Sequence, residues 1–219
     1  ESDGTFTISV PSDFNFHNNG GTNSVTNAGT INKTTASTIS STPSVAFNNS
    51  GTVNLDAGVL FINGGGTNSG TIDADAGTTL MFNASYTHGG ASSLTGLGML
   101  TFAAGTHSIA GILHTNRIVN INGGAIVNFN SPYVFTGTLN LAGTLSGSAD
   151  VTVSSILTWT GFGTMSGTGR TIIASTGSLT ISDSNPKSLN RTLENHSSNF
   201  NWTSGNIQMN NGTLSNESD

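Results

Sequence analysis

Asp73 and Asp75 form a close carboxylate pair. On a strand, residues i and i+2 share a face about 7 Å apart. That spacing suits a calcium site, or the acid–base pair of a glycosidase, whose carboxyls lie about 5–9.5 Å apart. The plainer reading is a solvated outer face, because the preceding repeat puts Asn54 and Asp56 at the same places. No Gly-Gly-x-Gly-x-Asp array occurs, so a calcium β-roll is not expected. His88, His107 and His114 could meet only if successive coils stacked them, and their spacing is too irregular to require it. They are expected to be unrelated surface histidines. A Ser-His-Asp triad can be assembled on paper from so many serines that it carries no weight. No catalytic residue, metal site or cofactor is therefore assigned, and the chain is not expected to be an enzyme.

The stretch Asp183–His196 is the densest in charge. Lys187, Arg191, Glu194 and His196 make it a candidate binding loop, since loops on rigid scaffolds often carry binding. The competing reading is an ordinary coil with Leu189 and Leu193 facing inward. Trp159, Trp202, Tyr86 and Tyr133 could stack on sugars if exposed. Each tryptophan follows an alternating Leu157 or Phe200 by two residues, which places both in the core. Threonine pairs such as Thr5-x-Thr7 and Thr158-x-Thr160 are scattered, so the flat array that ice binding needs is not expected. Eight Asn-x-Ser/Thr sequons occur, a number that 30 Ser, 33 Thr and 27 Asn produce by composition alone. Those at Asn190, Asn195, Asn201 and Asn211 are crowded together and are the candidate glycosylation sites.

The elements that must hold these residues are short. Ser50-Gly51-Thr52-Val53-Asn54-Leu55 returns nineteen residues later as Ser69-Gly70-Thr71-Ile72-Asp73-Ala74. Val59-Leu60-Phe61-Ile62 is answered by Thr79-Leu80-Met81-Phe82, and Asn27-Ala28-Gly29-Thr30-Ile31 anticipates the first copy. Gly-Thr-hydrophobic recurs from Gly4-Thr5-Phe6 to Gly212-Thr213-Leu214. Glycine turns the corner, threonine faces out, and the next residue enters the core. Short alternating runs separated by Gly, Asn, Asp and Ser at a period near 20 residues specify a β-solenoid. We expect an all-β parallel solenoid, a right-handed β-helix of about ten coils of roughly 20 residues, without significant helix. Residues 1–219 read as one domain, with irregular coils over 1–26 and regular repeats over 27–219.

Composition agrees. Charged residues are 7%, against about 25% in ordinary soluble domains. Gly, Ser, Thr and Asn supply more than half the chain, which suits tight turns and stacked ladders. Apolar residues in regular alternation separate it from disordered tracts. There is no cysteine, hence no disulfide framework. A net charge of −6 with five Lys+Arg argues against nucleic acid. It also makes a polyuronate lyase hard to build. No apolar run approaches a membrane span of about 20 residues. The chain opens on Glu1, which reads as a mature product or an excerpt.

Three segments carry a resemblance: Asn49-Ser50-Gly51-Thr52-Val53-Asn54; Leu157-Thr158-Trp159-Thr160-Gly161 with Gly163-Thr164-Met165-Ser166-Gly167; and Asn201-Trp202-Thr203-Ser204-Gly205-Asn206-Ile207. They are similar to coils of large bacterial surface proteins, the haemagglutinin- and autotransporter-like adhesins. The resemblance implies a right-handed parallel β-helix at the cell surface or outside the cell, used as a stalk or adhesive surface. No capping helix is legible at either end, so self-association by end-to-end strand addition is expected. The alternative is a β-helix that binds or cleaves extracellular polysaccharide, with glycans as the partner.

Overall fold

The computed structural model describes residues 4–41 and 45–217. The chain forms a right-handed parallel β-solenoid of about nine turns, without helix among the described residues. It divides into two compact units, Glu1–His114 and Thr115–Asp219. Each unit has three parallel sheets, and each layer of the stack contributes one short strand to each sheet.

In the first unit, the first sheet stacks Thr5–Ile8, Thr30–Lys33, Thr52–Leu55, Thr71–Ala74, Ser93–Thr95 and Ile112–Leu113. The second stacks Phe14–Phe16, Thr38–Ser41, Val59–Ile62, Thr79–Phe82 and Met99–Phe102. The third stacks Asn23–Asn27, Val45–Asn49, Gly66–Asn68, Tyr86–His88 and Gly105–Ile109. The first layer pairs as regularly as the rest, Thr5 opposite Thr30 and Phe6 opposite Ile31, although its sequence reads as irregular.

In the second unit, the first sheet runs Ile118–Ile121, Thr138–Leu141, Ile156–Trp159, Ser178–Ile181 and Phe200–Trp202. The second runs Ala125–Phe129, Thr144–Ser146, Thr164–Met165, Lys187–Leu189 and Ile207–Met209. The third runs Tyr133–Phe135, Val151–Val153, Thr171–Ile173, Thr192–Asn195 and Thr213–Asn216.

Alternation decides which side chains enter. Along Thr52–Leu55, Val53 and Leu55 are buried while Thr52 and Asn54 lie on the outer face. The same register places Ile31, Val53, Ile72 and Leu94 in one inward column. One layer cannot stand alone. Its few inward side chains contribute about 1.5–3 kcal/mol each, while ordering costs about 1–2 kcal/mol for each of its roughly 20 residues. The neighbouring layers supply the missing hydrogen bonds and cover the apolar ring.

The repeated glycine has a reason that register makes visible. A Cβ on Gly51 would lie 2.1 Å from the carbonyl oxygen of Gly29, and one on Gly70 would lie 2.0 Å from that of Gly51. The corner backbones pass too closely for any side chain. Gly51→Ala is therefore expected to destabilise the first unit by about 3 kcal/mol, at the upper end of overpacking costs. A denaturant titration showing an unchanged midpoint would contradict this account of the corner.

Candidate functional site

The charged stretch 183–196 is built into the wall of the second unit. It is not a loop. Lys187–Leu189 and Thr192–Asn195 are strands in register with their neighbours, Leu189 opposite Met165 and Leu193 opposite Thr171. Leu189 and Leu193 are fully buried, as the ordinary-coil reading requires. Two cations of the expected binding loop point inward instead, Lys187 on its strand and Arg191 at the corner between the two strands.

Lys187 is fully buried. Its Nζ donates to Ser182 O at 2.5 Å, Asn185 O at 2.9 Å and Asp183 Oδ1 at 2.7 Å. The corner Ser182–Pro186 turns these oxygens inward, and buried carbonyls need donors. Asp183, with φ of 64°, also accepts from the backbone N–H of Gly161 at 2.6 Å and of Asn185 at 2.9 Å. The Lys187 ammonium, then these two N–H groups, hold its carboxyl down to about 2.

Arg191 is also buried. It donates to Ser166 O at 3.1 Å, Ala149 O at 3.1 Å and Arg170 O at 2.8 Å, so one guanidinium joins carbonyls of two preceding layers. Burial pushes it down to about 10, with Asp150 opposing. In the first unit Lys33 does the same, donating to Thr35 O at 2.5 Å and Ala57 O at 2.7 Å. Burial lowers its ammonium and Asp13 opposes. These three cations close corners from inside. Their sequence signal was their place in the apolar alternation: Ile31-x-Lys33, Lys187-x-Leu189 and Leu189-x-Arg191-x-Leu193.

Outside the same wall, Arg170 bridges two carboxylates. It reaches Asp150 Oδ2 through Nη2 at 2.6 Å and Nε at 3.1 Å, and both Glu194 oxygens through Nη1 at 3.1 Å. His196 Nε2 lies 3.9 Å from Glu194 Oε2. Hydrogen bonds from Arg170 lower the Asp150 carboxyl, and the two carboxylates raise the guanidinium. Charge-assisted hydrogen bonds of this kind staple three successive layers together from outside.

The first unit separates the other carboxylate pair. Asp73 lies on its strand's outer face and accepts from Thr95 Oγ1 at 2.6 Å. The strand ends at Ala74, so Asp75 is in the following turn, exposed, its backbone carbonyl accepting from Thr78. They do not share a strand face. Register also makes a column the sequence had hidden: Thr5, Thr30, Thr52, Thr71 and Ser93 stack on one outer face. The next outward column holds Thr7, Asn32, Asn54, Asp73 and Thr95, so only the first rung is Thr-x-Thr. Among the described residues, no group of three or more His, Asp or Glu is placed to hold a metal ion.

Two histidines lie inside. His88 and His107 are fully buried in the first unit, where surface positions were expected, and His114 is exposed. Trp159 is fully buried as expected, whereas Trp202 is 49% exposed because it occupies the last layer of its unit. Tyr86 and Tyr133 are buried, and burial raises both phenols, Tyr133 to about 12. Of the candidate glycosylation sites, Asn201 and Asn211 are exposed and Asn190 is half-buried. Asn195 is buried, donating to Ser197 O and Asn216 Oδ1, so it offers no acceptor amide in the folded chain.

Among the described residues, no helix is long and apolar enough to cross a membrane. All five Lys and Arg are accounted for: Lys33, Arg117, Lys187 and Arg191 are buried, and Arg170 is held between two carboxylates. Comparison with protein-family models, curated proteins and solved structures found no match to the chain.

Proposed function

We propose that this chain is an extracellular structural or adhesive module of a bacterial cell surface, self-associating by adding layers to its open ends or serving as part of a longer stalk. The observation that carries the reading is the exposure of inward columns at the outermost layers. In the first unit Phe6 and Phe14 are 51% and 41% exposed, while Val53 and Leu80, farther along the same columns, are covered. In the second unit Trp202 and Met209 are 49% and 54% exposed, while Ile181 and Leu189 beneath them are fully buried. Among the described residues no strand pairs with the outer edges of these layers, and an unpaired edge is the substrate of β-strand addition. A heterologous contact of this kind propagates when it does not close.

The setting rests on the similarity of the repeats to haemagglutinin- and autotransporter-like adhesins, and on the composition. With no unpaired surface cation to receive a polyanion, the wall is not suited to nucleic acid or polyuronate. Electron microscopy at rising protein concentration tests the proposal. Filaments that lengthen with concentration are expected. Short particles of one size at every concentration would overturn self-association. Exposed Trp202 also supports a glycan-binding reading, because an open indole face is what a sugar ring stacks on. A glycan screen showing binding that Trp202→Ala abolishes would favour that alternative.

A further inference from the structure

The third sheet of the first unit carries an internal amide ladder that stops at a histidine. Asn27, Asn49, Asn68 and His88 occupy one inward column. Asn27 Nδ2 donates to Asn49 Oδ1 at 2.7 Å and to Thr52 O at 2.9 Å. Asn49 Nδ2 repeats this, to Asn68 Oδ1 at 2.8 Å and Thr71 O at 3.0 Å. At Asn68 the pattern breaks. Its Nδ2 has no partner, and neither ring nitrogen of His88 has one. Buried polar groups left this way are rare and need a reason.

The surroundings of His88 supply no charge to balance a proton. Its ring centroid lies 4.9 Å from those of both Phe82 and Tyr86 and 6.3 Å from that of Phe102. His107 packs against Phe102 at 4.7 Å and Phe82 at 6.1 Å, with Nε2 at 3.0 Å from Ala104 O. In the neighbouring sheets the inward columns are apolar, Ile72 with Leu94 and Leu80 with Leu100, and carry no carboxylate. Tyr86 and His107 are the titratable groups facing His88 from the packed strands, and neither offers a negative charge near neutrality.

We propose that His88 and His107 form an acid-sensitive latch: uncharged, they complete the core of the first unit, and protonation opens its middle layers while the second unit stays folded. The sign follows from burial. Desolvation, then His107, pushes His88 down to about 3, and desolvation pushes His107 down to about 4, with the Ala104 hydrogen bond opposing. The unfolded chain takes up these protons near pH 6.5. The stabilisation is therefore whole above about pH 6.5 and is lost progressively as pH falls toward the folded-state values. Each histidine shifts the opening equilibrium by up to about tenfold per pH unit in that window.

Hydrogen–deuterium exchange of the full chain, corrected for intrinsic rates, tests this between pH 7 and 4.5. Amides of Gly66–Asn68, Tyr86–His88 and Gly105–Ile109 are expected to lose at least tenfold protection before those of Thr138–Leu141 and Thr144–Ser146 lose any. His88→Asn restores an amide to the column as acceptor for Asn68 and is expected to move the loss to lower pH. Parallel loss in both units, or no loss by pH 4.5, would overturn the proposal on the unmodified chain alone. So would a His88→Asn variant with an unchanged pH profile.

Discussion

Lys187→Met lowers the stability of the second unit by about 3 kcal/mol, the cost of leaving the acceptors around a fully buried ammonium without their donor, at about 1–3 kcal/mol for each acceptor. Methionine matches the length of the lysine stem and keeps the inward column filled, so packing is nearly unchanged. What disappears is the donor. Ser182 O and Asn185 O, which the corner turns inward, lose their donor, and Asp183 Oδ1 loses its cation. Denaturant unfolding reads the loss as a lower midpoint at unchanged slope. A midpoint within error of the parent would mean that water replaces the ammonium and that the corner does not need it. Acid gives a second reading. The Asp183 carboxyl is held low, so its contribution is complete above the usual carboxylate range, near pH 4. It is lost as pH falls through about 2. The protection of Ser182–Pro186 should fall over that interval.

Trp159→Ala is the second large effect, about 3–5 kcal/mol for a fully buried aromatic. The indole lies in the inward column between Leu141 and Ile181, and a Cβ on Gly163 would lie 2.7 Å from it. Its Nε1–H has no partner. Trp159→Phe removes that orphaned donor together with some volume, so it should cost clearly less than alanine. Trp202→Ala is expected within about 0.5–1 kcal/mol, like other exposed substitutions. Thermal melts of the three variants rank these claims. A Trp202→Ala loss as large as that of Trp159→Ala would show that the last layer is packed after all.

The repeat was legible because period-2 alternation and glycine corners are local in the sequence. Ser50–Leu55 and Ser69–Ala74 announce their own register, and the structure pairs Thr52 with Thr71 accordingly. The inward cations were not legible. A lysine in a polar stretch reads as solvated unless its parity is counted against Leu189, and its carbonyl partners lie at a corner. The separation of Asp73 from Asp75 turned on where one strand ends, a boundary of a single residue. The fates of the two tryptophans differ by what stacks on them, Ile181 over Trp159 and, among the described residues, no further strand over Trp202. That information is in the layer count rather than in either local motif. His88 was hidden for the same reason, since the asparagine column containing it appears only after irregular spacings are laid into register.

The placement of the five cations has a consequence for resistance to proteolysis. Trypsin-like proteases must draw a lysine or arginine side chain into a negatively charged pocket and hold the neighbouring backbone extended. Here each such side chain is enclosed or clasped, and the backbone beside it is a hydrogen-bonded rung. Cleavage must await opening of a whole layer, so its rate follows the opening equilibrium and not the number of basic sites. Enzymes of this class should leave the folded chain intact for as long as its layers stay closed.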